Sequence, residues 1–114
     1  MERFKYPNEL KGVHHIEVVI ANVKQIPARL KVFTEELKKA DEKDLKVKLS
    51  VLTLIDDDTS LAQIQEEFFK NIYIHVSYFD WHIFGNFTDE GSAKVIGETL
   101  GKFLNLMSLS LFID

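Results

Sequence analysis

The sequence contains no cysteine, which excludes disulfides, thiolate zinc sites and cysteine nucleophiles. It also lacks a basic face of the kind that counters nucleic-acid phosphate. The net charge is −4, with Lys and Arg scattered among the acids, so no nucleic-acid partner is expected. No apolar run approaches the roughly 18 residues needed to cross a bilayer, so no membrane contact is expected either. The opening stretch, Met1 to Leu10, is charged and has no apolar centre, unlike a secretory signal. A soluble, intracellular protein is the expectation. The GxSxG elbow, the P-loop and the dinucleotide fingerprint are missing too, and no cofactor is assigned.

What is present describes one domain. A chain of 114 residues buries roughly two-thirds of its unfolded surface, enough for a core without staples. Hydrophobic residues make up 46%, an ordinary globular level. Nine Phe stand against one Trp and three Tyr, and Phe adds packing area with no polar atom to satisfy.

Residues 1–12, with Pro7 and Gly12 among mixed charges, read as an extended lead-in, and 13–114 as a single α/β domain. Val13 to Ile20 alternates, with Ile16, Val18 and Ile20 on one face, as a strand does. Pro27 sits where the first turn of a helix tolerates it. Ile26, Leu30, Phe33, Leu37 and Ala40 then recur at helical spacing. Lys46 to Ile55 is a second strand, β-branched and Leu-rich, halting at Asp56-Asp57-Asp58. Ser60 is expected to cap a short helix, with Gln63 completing a capping box. Leu61, Ile64 and Phe68 mark the inner face of that helix.

Ile72 to Phe79 alternates as a third strand, and Asp80 to Gly85 either extends it or turns back as a hairpin. Thr88 or Asp89 opens a third helix, with Ala93, Ile96, Leu100, Phe103 and Leu104 facing inward. Gly97 and Gly101, four apart on that helix, imply the close approach of another backbone. Leu106 to Ile113 is the last strand.

The strands share a spacing. Leu106, Leu109 and Leu111 form an LxxLxL pattern, repeated at Leu49, Leu52, Leu54; at Val13, Ile16, Val18; and at Phe69, Ile72, Ile74. These units start at residues 13, 49, 69 and 106, too unevenly for a strict array. Over about residues 85–114, Asn86-Phe-Thr-Asp-Glu-Gly91, then Ala93, Ile96, Gly97, Leu100, Asn105-Leu106 and Leu109-x-Leu111, resemble the leucine-rich repeat of the ribonuclease-inhibitor type. The resemblance implies a short βα solenoid, with four mostly parallel strands and three helices on one face. It also implies a protein-binding role and carries over no catalytic residue. One extra residue after Gly91, and the lack of an Asn–Gly signature in the earlier units, depart from that pattern. The same spacing also fits a compact α/β sheet covered on both faces, whose strands are hydrophobic throughout.

Asp56 and Asp58 stand at the end of the second strand, where α/β sheets place ligands. They resemble the DxDx(T/V) motif of haloacid-dehalogenase phosphatases, which implies an Asp nucleophile and bound magnesium. As a helix cap, the same acids would sit at the dipole's positive end. A divalent-cation or phosphate-ester site at Asp56 and Asp58 is thus the alternative to a binding role. His14, His15, His75 and His82 show no HExxH spacing. Adjacent strand residues point to opposite faces, so His14 and His15 cannot reach one metal.

Taking Ile16, Val18, Leu52, Leu54, Ile72, Ile74, Leu109 and Leu111 as inward, the opposite face presents Val19, Ile55, Tyr73, His75, Ser110 and Phe112. In a horseshoe that face is open, and an apolar, aromatic stripe on it marks a protein-partner site. No Lys or Pro protects Asn105 to Ile113, so an edge position there invites self-association or docking by sheet extension. Accessibility at Glu17, Thr53, Tyr73 and Ser110 separates the architectures: burial of these four beneath a helix would exclude the horseshoe.

Overall fold

Alternation at Val13–Ile20 produces strand β1, in which Ile16, Val18 and Ile20 are buried while His15, Glu17 and Val19 are exposed. The computed structural model describes residues 12–56, 60–85 and 90–114. After β1 come helix α1 (Ile26–Glu42), β2 (Lys46–Ile55), α2 (Leu61–Glu67), β3 (Tyr78–Gly85), α3 (Glu90–Gly101) and β4 (Ser108–Ile113). The four strands form one sheet in the order β1-β2-β3-β4, and every pairing is parallel. The expected lead-in lies, apart from Gly12, outside the described residues.

Parallel neighbours in chain order need a crossover between each pair, and crossovers of one hand return each helix to the same side. The buried set shows this. Val47, Leu49 and Val51 of β2 and Phe79, Trp81 and Ile83 of β3 share one core with Phe33 of α1, Ile64 of α2 and Ile96 of α3. All three helices therefore cover one face. The other face has no helix on it among the described residues.

Local chemistry sets the helix ends. Pro27 lies in the first turn of α1, where its missing N–H costs nothing. That helix closes with Leu45 N–H donating to the Ala40 carbonyl at 2.9 Å, while Asp44 takes the left-handed conformation, φ 57°, of a C-terminal cap. Ser60 caps α2, its hydroxyl accepting from Gln63 N–H at 3.2 Å. The Gln63 amide donates to Glu67 instead of returning to complete a capping box.

Aromatic rings fill the space beneath β3. Phe69 meets Trp81 edge to face at 4.9 Å and Phe79 likewise at 5.5 Å, while Phe79 stacks on Phe103 at 4.5 Å. Such offset and edge-on contacts suit the ring quadrupole.

Four expectations are corrected. The third strand is Tyr78–Gly85, not Ile72 to Phe79; Phe69–Asn71 and Tyr73–His75 are 3-10 turns. Phe68, Phe69, Ile72 and Val76 are all fully buried, and their spacing of three to four is that of turns seated on the core. The phase of β2 is the reverse of that expected. Thr53 and Ile55 are buried and Leu52 and Leu54 face outward, because Leu49 and Val51 register with Ile16 and Val18 of β1. In α3 Ile96 and Thr99 are buried and Leu100 packs half-buried on the core, while Ala93 is exposed. Just beyond the helix Phe103 is buried on the core and Leu104 is 73% exposed. Among the described residues nothing outside the helix's own backbone approaches Gly97 or Gly101 within 4 Å of an added Cβ, so the expected close contact of another backbone is not found there.

Of the four diagnostic residues, Glu17 is exposed and Ser110 half-buried. Thr53 is buried on the core face, between Ile20 and Ile83, and Tyr73 belongs to a turn. None lies under a helix on the far side. Gly85 is the glycine the fold requires: it has φ 128°, and a Cβ there would overlap the Ile55 carbonyl. Gly97, mid-helix in open space, is the contrary case. Gly97→Ala is expected to stabilise the domain by about 1 kcal/mol, read as a higher midpoint in urea with an unchanged slope.

Candidate functional site

Strand register turns the open face into rows. His15, Lys48, Tyr78 and Ser108 align across the sheet at the N-terminal ends, followed by Glu17, Ser50, Asp80 and Ser110. The next row is Val19, Leu52, His82 and Phe112, with Leu54 and Phe84 beyond it. The face therefore grades from polar to apolar along the strands. A shallow groove of about 340 Å³ lies across the middle, lined by Glu17, Val19, Ser50, Leu52, Asp80, His82 and Phe112.

The apolar end is an aromatic shelf. The His82 ring stacks on Phe84 at 5.3 Å and 16° and tilts against Phe112 at 4.6 Å. Val19 is 46% exposed and Phe112 54%. At the polar end, Lys48 Nζ lies 3.5 Å from Asp80 Oδ2, and His15 Nε2 is 2.9 Å from Ser50 Oγ. This arrangement offers area for apolar side chains and a few charges to orient them. Among the described residues no group of three potential metal ligands gathers.

Of the residues singled out in the sequence, Val19, Ser110 and Phe112 lie on this face. Ile55 does not: it is 8% exposed and part of the core, a consequence of the β2 phase. Tyr73 and His75 do not either, because they sit in a 3-10 turn before β3. They line a separate depression of about 510 Å³ with Lys70, Ile74, Lys102 and Leu104. Leu52, Asp80, His82 and Phe84 were missed. The signal for the last three was present, since Phe79, Trp81 and Ile83 alternate with them as strictly as any stretch of the chain.

Asp56 follows β2 and is exposed, and Asp58 lies outside the described residues. As the alternation required, His14 and His15 diverge. His14 Nε2 reaches Glu36 of α1 at 2.7 Å, whereas His15 stays on the open face. Hydrogen bonds from Lys39 and then His14 hold the Glu36 carboxyl below its ordinary range.

No protein-family model matches the chain, and no curated protein or solved structure matches it.

The face is braced from below. Trp81 Nε1–H donates to Thr53 Oγ1 at 3.3 Å, and the Thr53 hydroxyl donates to the His82 carbonyl at 3.4 Å. Thr53→Val preserves shape but leaves the buried indole N–H unpaired. It should cost about 1–3 kcal/mol, measured by chemical denaturation. The Tyr73 hydroxyl is the contrast: it is shielded from water and has no well-formed hydrogen bond among the described residues. Burial raises its pKa, opposed in part by the neighbouring Thr99 and Gln65 side chains. Tyr73→Phe should change stability by about 0.5 kcal/mol or less, or raise it.

Proposed function

We propose that this domain is a non-catalytic protein-interaction module, alone or as a small subunit of a larger assembly. It takes its partner on the open sheet face and along the edge of β4. The observation that carries this reading is the row of Val19, Leu52, His82 and Phe112, which no helix covers among the described residues, while the opposite face holds the core. Contiguous apolar, aromatic surface on a folded domain marks an interaction site, and such rings serve as anchors in protein interfaces. Glu17, Asp80 and Lys48 then set orientation, because rim charges steer a partner more than they hold it.

The resemblance of residues 85–114 to a leucine-rich repeat supports the same reading, as a short solenoid whose helix-free face meets the partner. Residues 86–89 of that motif lie outside the described residues, so the support comes from Ile96, Leu100, Leu109 and Leu111, all in α3 or β4.

A photo-reactive residue at Ser50, compared with one at Lys31 on the exposed side of α1, tests the proposal in cell extract. Adducts from Ser50 that disappear with Leu52→Glu are expected, with few from Lys31. Adducts from Lys31 and none from Ser50, or indifference to Leu52→Glu in a folded protein, would overturn it.

A further inference from the structure

Among the described residues, the three most exposed large apolar side chains are Leu104, Met107 and Ile74, at 73, 62 and 59%. None belongs to the open face. They gather where the chain enters β3 and β4, Ile74 shortly before Tyr78 and the other two shortly before Ser108. Asn105 Nδ2 donates to the Ile74 carbonyl at 2.8 Å, and Met107 N–H donates to the Ser77 carbonyl. The two segments are thereby tied side by side.

Their exposure is enforced from within. Phe69 and Ile72 are fully buried and Phe103 nearly so. Phe103 stacks on Phe79 and meets Tyr73 edge-on at 5.0 Å. With these anchors in the core, Lys70, Ile74, Lys102 and Leu104 are left outside, around the depression of about 510 Å³. The backbone is pinned on both sides of it, so Ile74 and Leu104 stay in water until another molecule covers them.

Charge selects that molecule. The chain carries a net −4, yet Lys70, His75 and Lys102 line the depression and, among the described residues, no Asp or Glu does. Lys70 Nζ lies 3.2 Å from Glu66, with both side chains largely exposed, and such a pair yields readily. Lys102 makes no ion pair among the described residues. It directly follows α3, and its full charge outweighs the roughly half unit of negative charge at a helix's C-terminal end.

We propose that this depression is a second docking site, which takes a peptide segment carrying acidic residues beside a bulky apolar one. The apolar side chain covers Ile74 and Leu104, and the carboxylates meet Lys70 and Lys102. A small anion fits less well. Sheets of this class place small ligands at the C-terminal ends of their strands, and this depression lies at the opposite end. It is also too open to enclose one, since small-molecule sites bury most of their ligand. The site shares no residue with the groove on the open face, so it does not depend on the reading of that face.

Selection of the full chain against a phage library of random short peptides tests the proposal. Enriched peptides should place Asp or Glu next to Leu, Ile, Phe or Trp. Once synthesised and labelled, such a peptide should bind at about 10–100 µM by fluorescence anisotropy. Leu104→Ser and Lys102→Glu should each weaken it about tenfold with an unchanged melting curve. The double variant Lys70→Glu, Lys102→Glu should enrich basic peptides instead. Enriched peptides with no acidic preference, or acidic ones that bind both single variants as tightly as the parent, overturn the site. Sedimentation with phosphatidylserine vesicles that is lost in Lys102→Glu, with no peptide enriched, assigns the patch to a membrane surface and overturns the peptide. Photo-adducts from Ser50 should be unchanged in Lys102→Glu, so the open face and this site fail separately; their loss overturns the independence of the two.

Discussion

Parallel strands taken in chain order impose a crossover between each pair, and crossovers of a single hand deliver every helix to the same side. The rest of this structure follows from that constraint. One face of the sheet receives α1, α2 and α3 and becomes the core. The other is left to the side chains that alternate away from it. Doubly wound sheets escape this outcome by reversing strand order midway; with order β1-β2-β3-β4 there is no reversal. A sheet face left without a helix among the described residues is thus a product of topology.

The two faces differ in composition. The covered face holds the aromatic cluster around Phe69, packed closely enough that Thr53 must satisfy the Trp81 indole from within. A polar atom there persists because its alternative is a desolvated donor with no acceptor. The open face, a strand's thickness away, carries Ser50, Asp80 and Lys48 beside Leu52, His82 and Phe112. The stacked rings of Phe84, His82 and Phe112 are the feature of this face on which the proposed binding role rests.

The two edges show the same division of labour. At β1, Arg29 reaches from α1 to occupy an outward carbonyl, and charged side chains flank it. At β4 the outward residues are Leu109, Leu111 and Ile113, among which Leu109 and Ile113 remain about half exposed even though they align with core-facing Phe79 and Ile83. Among the described residues, the β1 edge is met by the Arg29 side chain and the β4 edge by no charged one.

How much of this was legible in the sequence follows from how one-sided each stretch is. In β1, Ile16, Val18 and Ile20 alternate with His15 and Glu17, so phase and face could be read directly. In α1, Ile26, Phe33 and Ala40 recur on one stripe, and Ser60 announces its helix by the hydrogen bond it can accept. The α/β class and the order of its strands and helices followed from such local signals. Where both phases are apolar, as from Val51 to Ile55, local pattern has no preference, and only the register against Ile16 and Val18 selects the buried set. Ile72 to Val76 satisfies a strand's alternation and a turn's spacing equally well, and packing of Phe68, Phe69 and Ile72 decides for turns. Periodicity is a property of the chain, but which of two permitted periods is used, and which apolar face stays uncovered, depends on neighbours distant in sequence that only the folded sheet brings alongside.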